Sequence, residues 1–197
     1  MMLGDLGLLW LAALPLMGSP GPATLSTAAV GSSFGPRRGL PYLAGIIAGT
    51  ADVLLLIATG VTAAILAVPA LATAITLAAA YTLYLAWRIA TAPPLSKDTA
   101  EAKAPAFPGG FFLAIANPKA FAVLGAVYAR HSVIEGDLAT DAVVKVAALS
   151  LVIVLVNSTW LVFGSMIAAL LHDPRKARIT NIAFAVLLVA SVALALL

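Results

Sequence analysis

The sequence predicts an all-α, polytopic membrane protein with six transmembrane helices that form two inverted repeats of three helices. Of its 197 residues, 62% are hydrophobic and only 10% are charged, whereas a soluble domain has about 25% charged residues. A spanning helix needs about 20 mostly apolar residues. Four stretches without Asp, Glu, Lys or Arg are long enough to cross a bilayer: 6–36, 53–87, 146–171 and 179–197.

The predicted helices follow these apolar stretches along the chain. Pro69 predicts a tight turn between the second helix and the third. The longest polar stretch, 92–106, is too short for a domain, so it is predicted to be a cytoplasmic linker between the halves 1–91 and 107–197 of a single transmembrane domain. The six helices are predicted at 3–30, 40–67, 70–91, 107–129, 141–171 and 178–197.

Lys and Arg side chains concentrate in alternate loops. Cytoplasmic loops of membrane proteins carry an excess of Lys and Arg, so the loops after the first, third and fifth helices are predicted to be cytoplasmic and both termini extracytoplasmic. The chain is then a multi-pass protein of the inner or plasma membrane. Three helices per half invert the second half relative to the first, a common transporter design. Eight of the 11 Lys and Arg residues fall in these loops: Arg37, Arg38, Arg88, Lys97, Lys103, Arg175, Lys176 and Arg178.

Two proline-containing motifs, at 19–22 and 117–119, interrupt apolar stretches at matching places in the two halves. Proline removes a backbone donor, and carbonyls freed in lipid need partners inside the protein or in a wet cavity. A pair of interrupted segments points to a transporter's substrate site, where helix N-termini can hold a carboxylate. The alternative is a pair of kinks that only improve packing. The candidate substrate-binding residues here are Pro20, Gly21, Pro22, Asn117 and Pro118.

Asp52 is the one acidic residue placed well inside an apolar stretch. A charge at the centre of a membrane helix costs about 2.5–3.5 kcal/mol on insertion scales, so such a residue usually faces a cavity or a partner. Because burial favours the neutral acid, Asp52 is predicted to exchange the coupling proton. A structural hydrogen bond between two helices is the alternative.

Lys119 and Asn157 are two further candidates for substrate binding. The Lys119 ammonium, inside the fourth apolar stretch, could hold a carboxylate or pair with Asp52; the alternative is a side chain that extends to the headgroups. Asn157 occupies in the second half roughly the place of Asp52 in the first. Its alternative role is a hydrogen bond between helices.

Several classes of function are disfavoured by what the sequence lacks. Without cysteine there is no thiol redox chemistry, disulfide or thiolate metal site. No phosphate-binding loop or convincing catalytic spacing is present, so we expect neither an enzyme nor a cofactor. The net charge of +3 reflects the loops, not nucleic-acid binding. Gly45 and Gly49 form a Gly-x-x-x-Gly pattern that permits close helix contact, within one chain or between the subunits of a homo-oligomer, for which we expect a dimer.

Taken together, the motifs resemble those of the lysine-exporter superfamily, the LysE/RhtB amino-acid exporters. The resemblance covers nearly the whole chain. At one position the sequence departs from the family pattern: Ala23 follows Pro22 where the family often has Asn, which favours a less polar substrate. The resemblance rests on Ser19-Pro20-Gly21-Pro22, on residues 45–52, and on Phe111-Phe112-Leu113 followed by Asn117-Pro118-Lys119-Ala120.

The resemblance implies a secondary exporter of amino acids or related small metabolites, driven by a proton or cation gradient and often oligomeric. Two alternatives stay open at this point. One is an inorganic cation or metal exporter on the same fold, with Asp52 as a ligand; the other is a membrane scaffold or accessory subunit that transports nothing. On matching positions, the functional residues implied by the resemblance are Pro20, Gly21, Pro22, Asp52, Asn117, Pro118 and Lys119.

Overall fold

The computed structural model describes residues 2–60, 69–92, 104–170 and 174–196, and their regular secondary structure is entirely helical. The all-α prediction is confirmed for these residues. The eight helices are α1 (Met2–Gly18), α2 (Pro22–Phe34), α3 (Pro36–Ala58), α4 (Pro69–Ala90), α5 (Phe107–Ile115), α6 (Pro118–Arg130), α7 (Leu138–Leu170) and α8 (Pro174–Leu196).

Three helices among the described residues are long and apolar enough to cross a membrane, within α3, α7 and α8. The count rises to five if α1 with α2, and α5 with α6, each form one bent span. The third predicted helix corresponds to α4, which is 22 residues long. These helices support a polytopic membrane protein, while the arrangement as six spans in inverted repeats stays a prediction.

The second predicted helix is shorter than expected. It was predicted to run to residue 67, but α3 ends at Ala58, and Gly60 adopts a φ of 72°. This left-handed conformation is open to glycine and interrupts a right-handed helix. Residues 61–68, and most of the predicted linker at 93–103, lie outside the described residues.

The chain bends sharply at both predicted breaks. The axes of α1 and α2 differ by 63°, and those of α5 and α6 by 60°. Pro22 is the first residue of α2, and Pro118 is the first residue of α6. At the first position of a helix, the missing N–H has no intrahelical partner to lose, and the fixed φ suits a helix start. Each break is therefore the end of one helix followed at once by the start of another.

Glycines bring the two halves into backbone contact. A Cβ atom added to Gly45 or Gly49 of α3 would clash with backbone atoms of α5, which begins at Phe107. In the same way, a Cβ on Gly164 of α7 would clash with the carbonyl of Ala28 in α2. The Gly-x-x-x-Gly pattern therefore serves contacts within the chain, and the contacts join helices from opposite halves.

The buried apolar side chains form two clusters, which we name after the helices of the first break. The α1-side cluster includes Leu9, Val53, Leu124, Leu149 and Ile153. The α2-side cluster includes Leu25, Tyr42, Leu85, Leu113 and Leu188. Helices α1 and α6 contribute to the α1-side cluster, whereas α2 and α5 contribute to the α2-side cluster. Both broken helices therefore cross from one cluster to the other at their breaks.

Candidate functional site between the two helix breaks

Several carbonyls at the first break accept hydrogen bonds from side chains. Ser19 Oγ donates to the carbonyl of Leu16 at 2.8 Å, within the first half. The Trp160 indole Nε1, from α7, donates to the carbonyl of Gly18 at 3.1 Å. Two further carbonyls accept from Lys119, described below. Because a carbonyl without a partner is costly away from water, these hydrogen bonds stabilise the end of α1 at this break.

Lys119 joins the two breaks. It is the second residue of α6, and its ammonium donates to the carbonyl of Ser19 and, at 3.2 Å, to that of Pro20. The side chain passes directly over Gly21, where an added Cβ would lie 2.7 Å from Lys119 Cδ. Glycine at position 21 therefore makes room for the lysine, and the positive charge sits at the negative, C-terminal end of α1.

The N-terminus of α2 is capped by its own first turn. The N–H of Gly21 donates to Thr24 Oγ1 at 3.0 Å, and Pro22 has no N–H to offer. The sequence predicted that amides at this break hold a substrate carboxylate. In this structure the Gly21 amide is already bonded, which leaves the Lys119 ammonium as the charged donor at the break.

The second break is capped locally as well. Asn117 Oδ1 accepts from the N–H of Lys119 at 3.1 Å, as an N-cap residue does. Its own N–H donates to the carbonyl of Ala114 at 3.2 Å, and its carbonyl accepts from Ala120 at 3.0 Å. Asn117 is buried, with 5% of its surface exposed. Because its side chain caps the first turn of α6, it fixes where that helix begins.

A cavity of about 50 Å³ lies at the junction of the two clusters. That volume holds no more than a few water molecules. Its polar side chains come from both halves, and the rest of its wall is apolar or glycine. The lining residues are Met17, Gly21, Ala23, Thr24, Thr50, Asn117, Lys119, Ala120, Val123, Leu124, Val156 and Asn157.

Asn157 presents an unused acceptor beside this cavity. Its Nδ2 donates to the carbonyl of Ile153 at 2.8 Å, one turn earlier on α7. Its Oδ1 has no hydrogen-bond partner, although only 4% of the residue is exposed. Among the described residues, no other buried side-chain nitrogen or oxygen lacks a partner. Buried polar groups without partners are rare and call for an explanation.

Asp52 does not line the cavity. Thr50 does, and a residue two positions later points about 200° away around an α-helix. Asp52 is exposed and lies in the last two turns of α3, not a third of the way along a longer helix as the sequence suggested. Lys119 bonds to backbone carbonyls instead of Asp52. Of the predicted site residues, the structure thus brings Gly21, Asn117, Lys119 and Asn157 together, and places Pro20, Pro22 and Pro118 at the adjoining breaks.

A buried ion pair that the sequence analysis missed fixes the turn between α6 and α7. Asp141 and Lys145 form a salt bridge of 2.8 Å with 4% and 7% of their surfaces exposed. Asp141 Oδ1 also accepts from the N–H of Val133 at 2.6 Å, and Lys145 Nζ donates to the carbonyl of Tyr128 at 3.1 Å. The i, i+4 spacing of opposite charges was the available signal.

A side-chain cap precedes this ion pair at the start of α7. Asp137 accepts from the N–H groups of Ala139 and Thr140 at 3.0 and 3.1 Å, and from Thr140 Oγ1 at 2.6 Å. The hydrogen bonds from Thr140 hold the pKa of this exposed carboxyl below its usual value. The turn between α6 and α7 is thus set by polar contacts on both sides.

The sequence of this chain matches a known protein family. A family model for LysE type translocators matches residues 14–197, which include both breaks and the cavity. No curated protein and no solved structure matches the chain. The match covers nearly the whole sequence and confirms the resemblance noted from the motifs. The chain belongs to the family of LysE type translocators, and membership implies membrane transport of amino acids or related compounds.

Proposed function

We propose that this chain is a secondary active exporter of amino acids or related small zwitterionic metabolites, coupled to the antiport of protons or another cation. The observation that carries the proposal is the Lys119 ammonium, which lines a cavity between two broken helices and is bonded to backbone carbonyls of the opposite half. A carboxylate is the natural competitor for an ammonium held by neutral carbonyls, because a bond in which donor and acceptor are both charged adds the attraction of opposite charges.

In this mechanism the substrate releases a link between the two breaks. The substrate carboxylate binds Lys119 and takes its ammonium from the carbonyls of Ser19 and Pro20. Since these bonds connect α6 to the end of α1, their loss frees the two breaks to move relative to each other. Substrate binding and conformational change are then the same event, as alternating access requires.

The cavity must widen before it can hold an amino acid, because its present volume of about 50 Å³ admits only small molecules such as water. We propose that the two breaks act as hinges between the α1-side and α2-side clusters. Each cluster would shift mostly as a packed unit, since close-packed interiors resist continuous deformation. The unbroken α3 contributes Tyr42 to one cluster and Val53 to the other, so it would have to bend between them. Movement of one cluster relative to the other would open the cavity where they meet.

Asp52 remains our proposed coupling residue, but it would act without touching the substrate. It shares α3 with Thr50, which lines the cavity on the other side of the helix. Protonation removes the cost of placing a carboxylate against an apolar environment. A protonated Asp52 would therefore favour a position of α3 that the charged form resists, and α3 would carry that preference to the cavity.

We further propose that the chain functions as a homodimer in the inner or plasma membrane, with both termini extracytoplasmic. This orientation follows from the Lys and Arg bias of the loops. Membrane-impermeant labelling of single cysteines introduced near each terminus would test it in intact cells. Labelling of one terminus only would contradict an even number of spans.

Efflux from preloaded proteoliposomes tests the proposed function. A panel of labelled amino acids would be run with and without an imposed pH gradient, for the wild type, Lys119→Gln and Asp52→Asn. We expect gradient-dependent efflux of some members by the wild type. Lys119→Gln should lower it about tenfold or more, since hydrogen bonds to charged groups contribute about 1.5–3 kcal/mol. Asp52→Asn should retain downhill efflux and lose its pH dependence.

The exposed Lys176 in α8 offers a matched control, because Lys176→Gln removes the same charge outside the cavity. It should transport at the wild-type rate. No efflux of any amino acid from well-folded wild-type protein would overturn the proposed function. Unchanged pH dependence in Asp52→Asn would instead remove only Asp52 from the coupling mechanism.

A further inference from the structure

We infer that Asn157 determines the specificity of the cavity: its free Oδ1 accepts from the substrate's ammonium, and the site takes amino acids with uncharged, apolar side chains in preference to basic ones. The inference rests on the proposed function, because it concerns the same cavity. It adds the substrate class and the residue that selects it.

The first step of the argument is the state of the Asn157 carboxamide. Its nitrogen is fixed by a 2.8 Å hydrogen bond to the carbonyl of Ile153. The oxygen therefore cannot be exchanged for the nitrogen by rotating the amide without breaking that bond. Only 4% of the surface of Asn157 is exposed, and the residue lines the cavity. Its side-chain oxygen has no hydrogen-bond partner. A fixed acceptor on a residue that lines a cavity is suited to a donor that arrives with the ligand, once the cavity has widened enough to reach it.

The second step is the charge of the lining. Among the described residues that line the cavity, Lys119 carries the one charge, and it is positive. Asp52 points away from the cavity on α3. On α7, Asp141 lies four turns before Asn157 and is paired with Lys145. An α-carboxylate thus meets a cation, and an α-ammonium meets a neutral oxygen. A second ammonium, on a lysine-type side chain, would meet the like charge of Lys119 without any carboxylate from the described lining.

The third step is the rest of the wall. Met17, Val123, Leu124 and Val156 border the cavity, together with Ala23 and Ala120. A charged or strongly polar side chain placed against these residues would lose hydration without gaining partners. An aliphatic side chain would instead gain from leaving water. The three regions of the cavity therefore match the carboxylate, the ammonium and the apolar side chain of a neutral amino acid.

The test is a counterflow assay, in which labelled substrate exchanges with unlabelled substrate across proteoliposome membranes. Leucine, valine and alanine would be compared with lysine, arginine and glutamate. We expect the wild type to exchange the best neutral substrate about tenfold or more faster than lysine, since rejection by an unpaired buried charge is strong. Exchange of lysine as fast as leucine would overturn the inference and leave the proposed exporter function standing. Exchange of no amino acid would overturn both.

Asn157→Asp sharpens the test, because it places a carboxylate where the free oxygen lies. We expect lysine exchange relative to leucine to rise about tenfold in this variant, because the substrate's extra cation gains a counter-ion. Asn157→Ala removes the acceptor and should raise the KM for leucine with little change in the maximal rate. Unfolding temperatures in detergent would establish that both variants fold.

A purely structural Asn157, or one bonded only to a bound water, predicts a different pattern. The variants would then lower thermal stability or the maximal rate, while the ratio of lysine to leucine exchange would stay constant. That result would overturn the inference. If Asn157→Asp fails to fold, the KM of Asn157→Ala decides the question, and an unchanged KM for leucine counts against the inference.

Discussion

The two helix breaks share a proline, a sharp bend and a place in their halves, yet they are stabilised in different ways. The first break is capped partly by its own Ser19 and Thr24 and partly from the other half of the chain, by Trp160 and Lys119. The second is capped by its own residue, Asn117. The difference teaches that matching motifs need not have matching roles: one break provides carbonyls that accept an ammonium, and the other provides the ammonium.

The comparison implies that changes at the first break should affect transport and the contact between halves, whereas changes to the Asn117 cap of the second should mainly affect the local start of α6. The largest effect is expected from Gly21→Ala. An added Cβ would lie 2.7 Å from Lys119 Cδ, so the lysine side chain must shift, and we expect its hydrogen bonds to the carbonyls of Ser19 and Pro20 to weaken. We expect a loss of about tenfold or more in efflux rate, measured in preloaded proteoliposomes.

Gly125→Ala is the matched control for this prediction. Gly125 lies in α6, and an added Cβ there would have no atom within 4 Å. Because alanine favours a helix over glycine by about 0.5–1 kcal/mol, this variant should be slightly more stable and fully active. Equal activities of the two alanine variants would show that the passage of Lys119 over Gly21 does not matter for transport.

A smaller effect is expected from Trp160→Phe, which removes the indole donor to the carbonyl of Gly18 and keeps an aromatic ring beside Phe163. Leaving that carbonyl without its partner should cost about 1–3 kcal/mol of unfolding free energy. Chemical denaturation in detergent micelles would measure it. Trp87→Phe is the control, since Trp87 is exposed on α4. Identical stabilities would mean that the Gly18 carbonyl finds another partner.

The smallest effect is expected at the second break. Asn117→Ala should lower the unfolding free energy by about 1 kcal/mol, because it deletes the N-cap of α6. Asn117→Ser should recover most of that loss, since a serine hydroxyl can accept from the same backbone N–H. Thermal unfolding of the three proteins would show the order. A transport defect in Asn117→Ala larger than that of Gly21→Ala would reverse the comparison between the breaks.

The sequence predicted features that depend on neighbouring residues better than features that depend on tertiary packing. The breaks were predictable because Pro22 and Pro118 act on their own turns. Lys119 and Asn157 were found as polar residues in apolar stretches, and both line the cavity. The partner of Lys119 was not predictable, because Ser19 and Pro20 contribute backbone carbonyls that any residue has. Which side of a helix faces a cavity depends on tertiary packing.

Asp52 illustrates that second limit. Its type and apolar surroundings indicated a buried group, but the periodicity of α3 places Thr50, not Asp52, on the cavity side. In the same way, nothing in the sequence analysis marked Asp141 and Lys145 as buried. Their burial depends on the turn before α7 folding back so that Val133 can donate to the carboxylate. Composition does not determine which side of α3 Asp52 lies on, and it does not determine that the turn before α7 folds back.

The buried pair of Asp141 and Lys145 has a consequence for the opposite end of α6. By tying the C-terminal end of that helix to α7, it provides a fulcrum, and the rest of α6 becomes a lever with Lys119 near its tip. Lys119 lies eleven positions before Arg130, which corresponds to a length of about 17 Å along the helix. A tilt of about 10° at the fulcrum moves the tip by about 3 Å, about the length of one hydrogen bond. A small rotation at one end of α6 is thus enough to separate Lys119, at its other end, from the carbonyls of the first break.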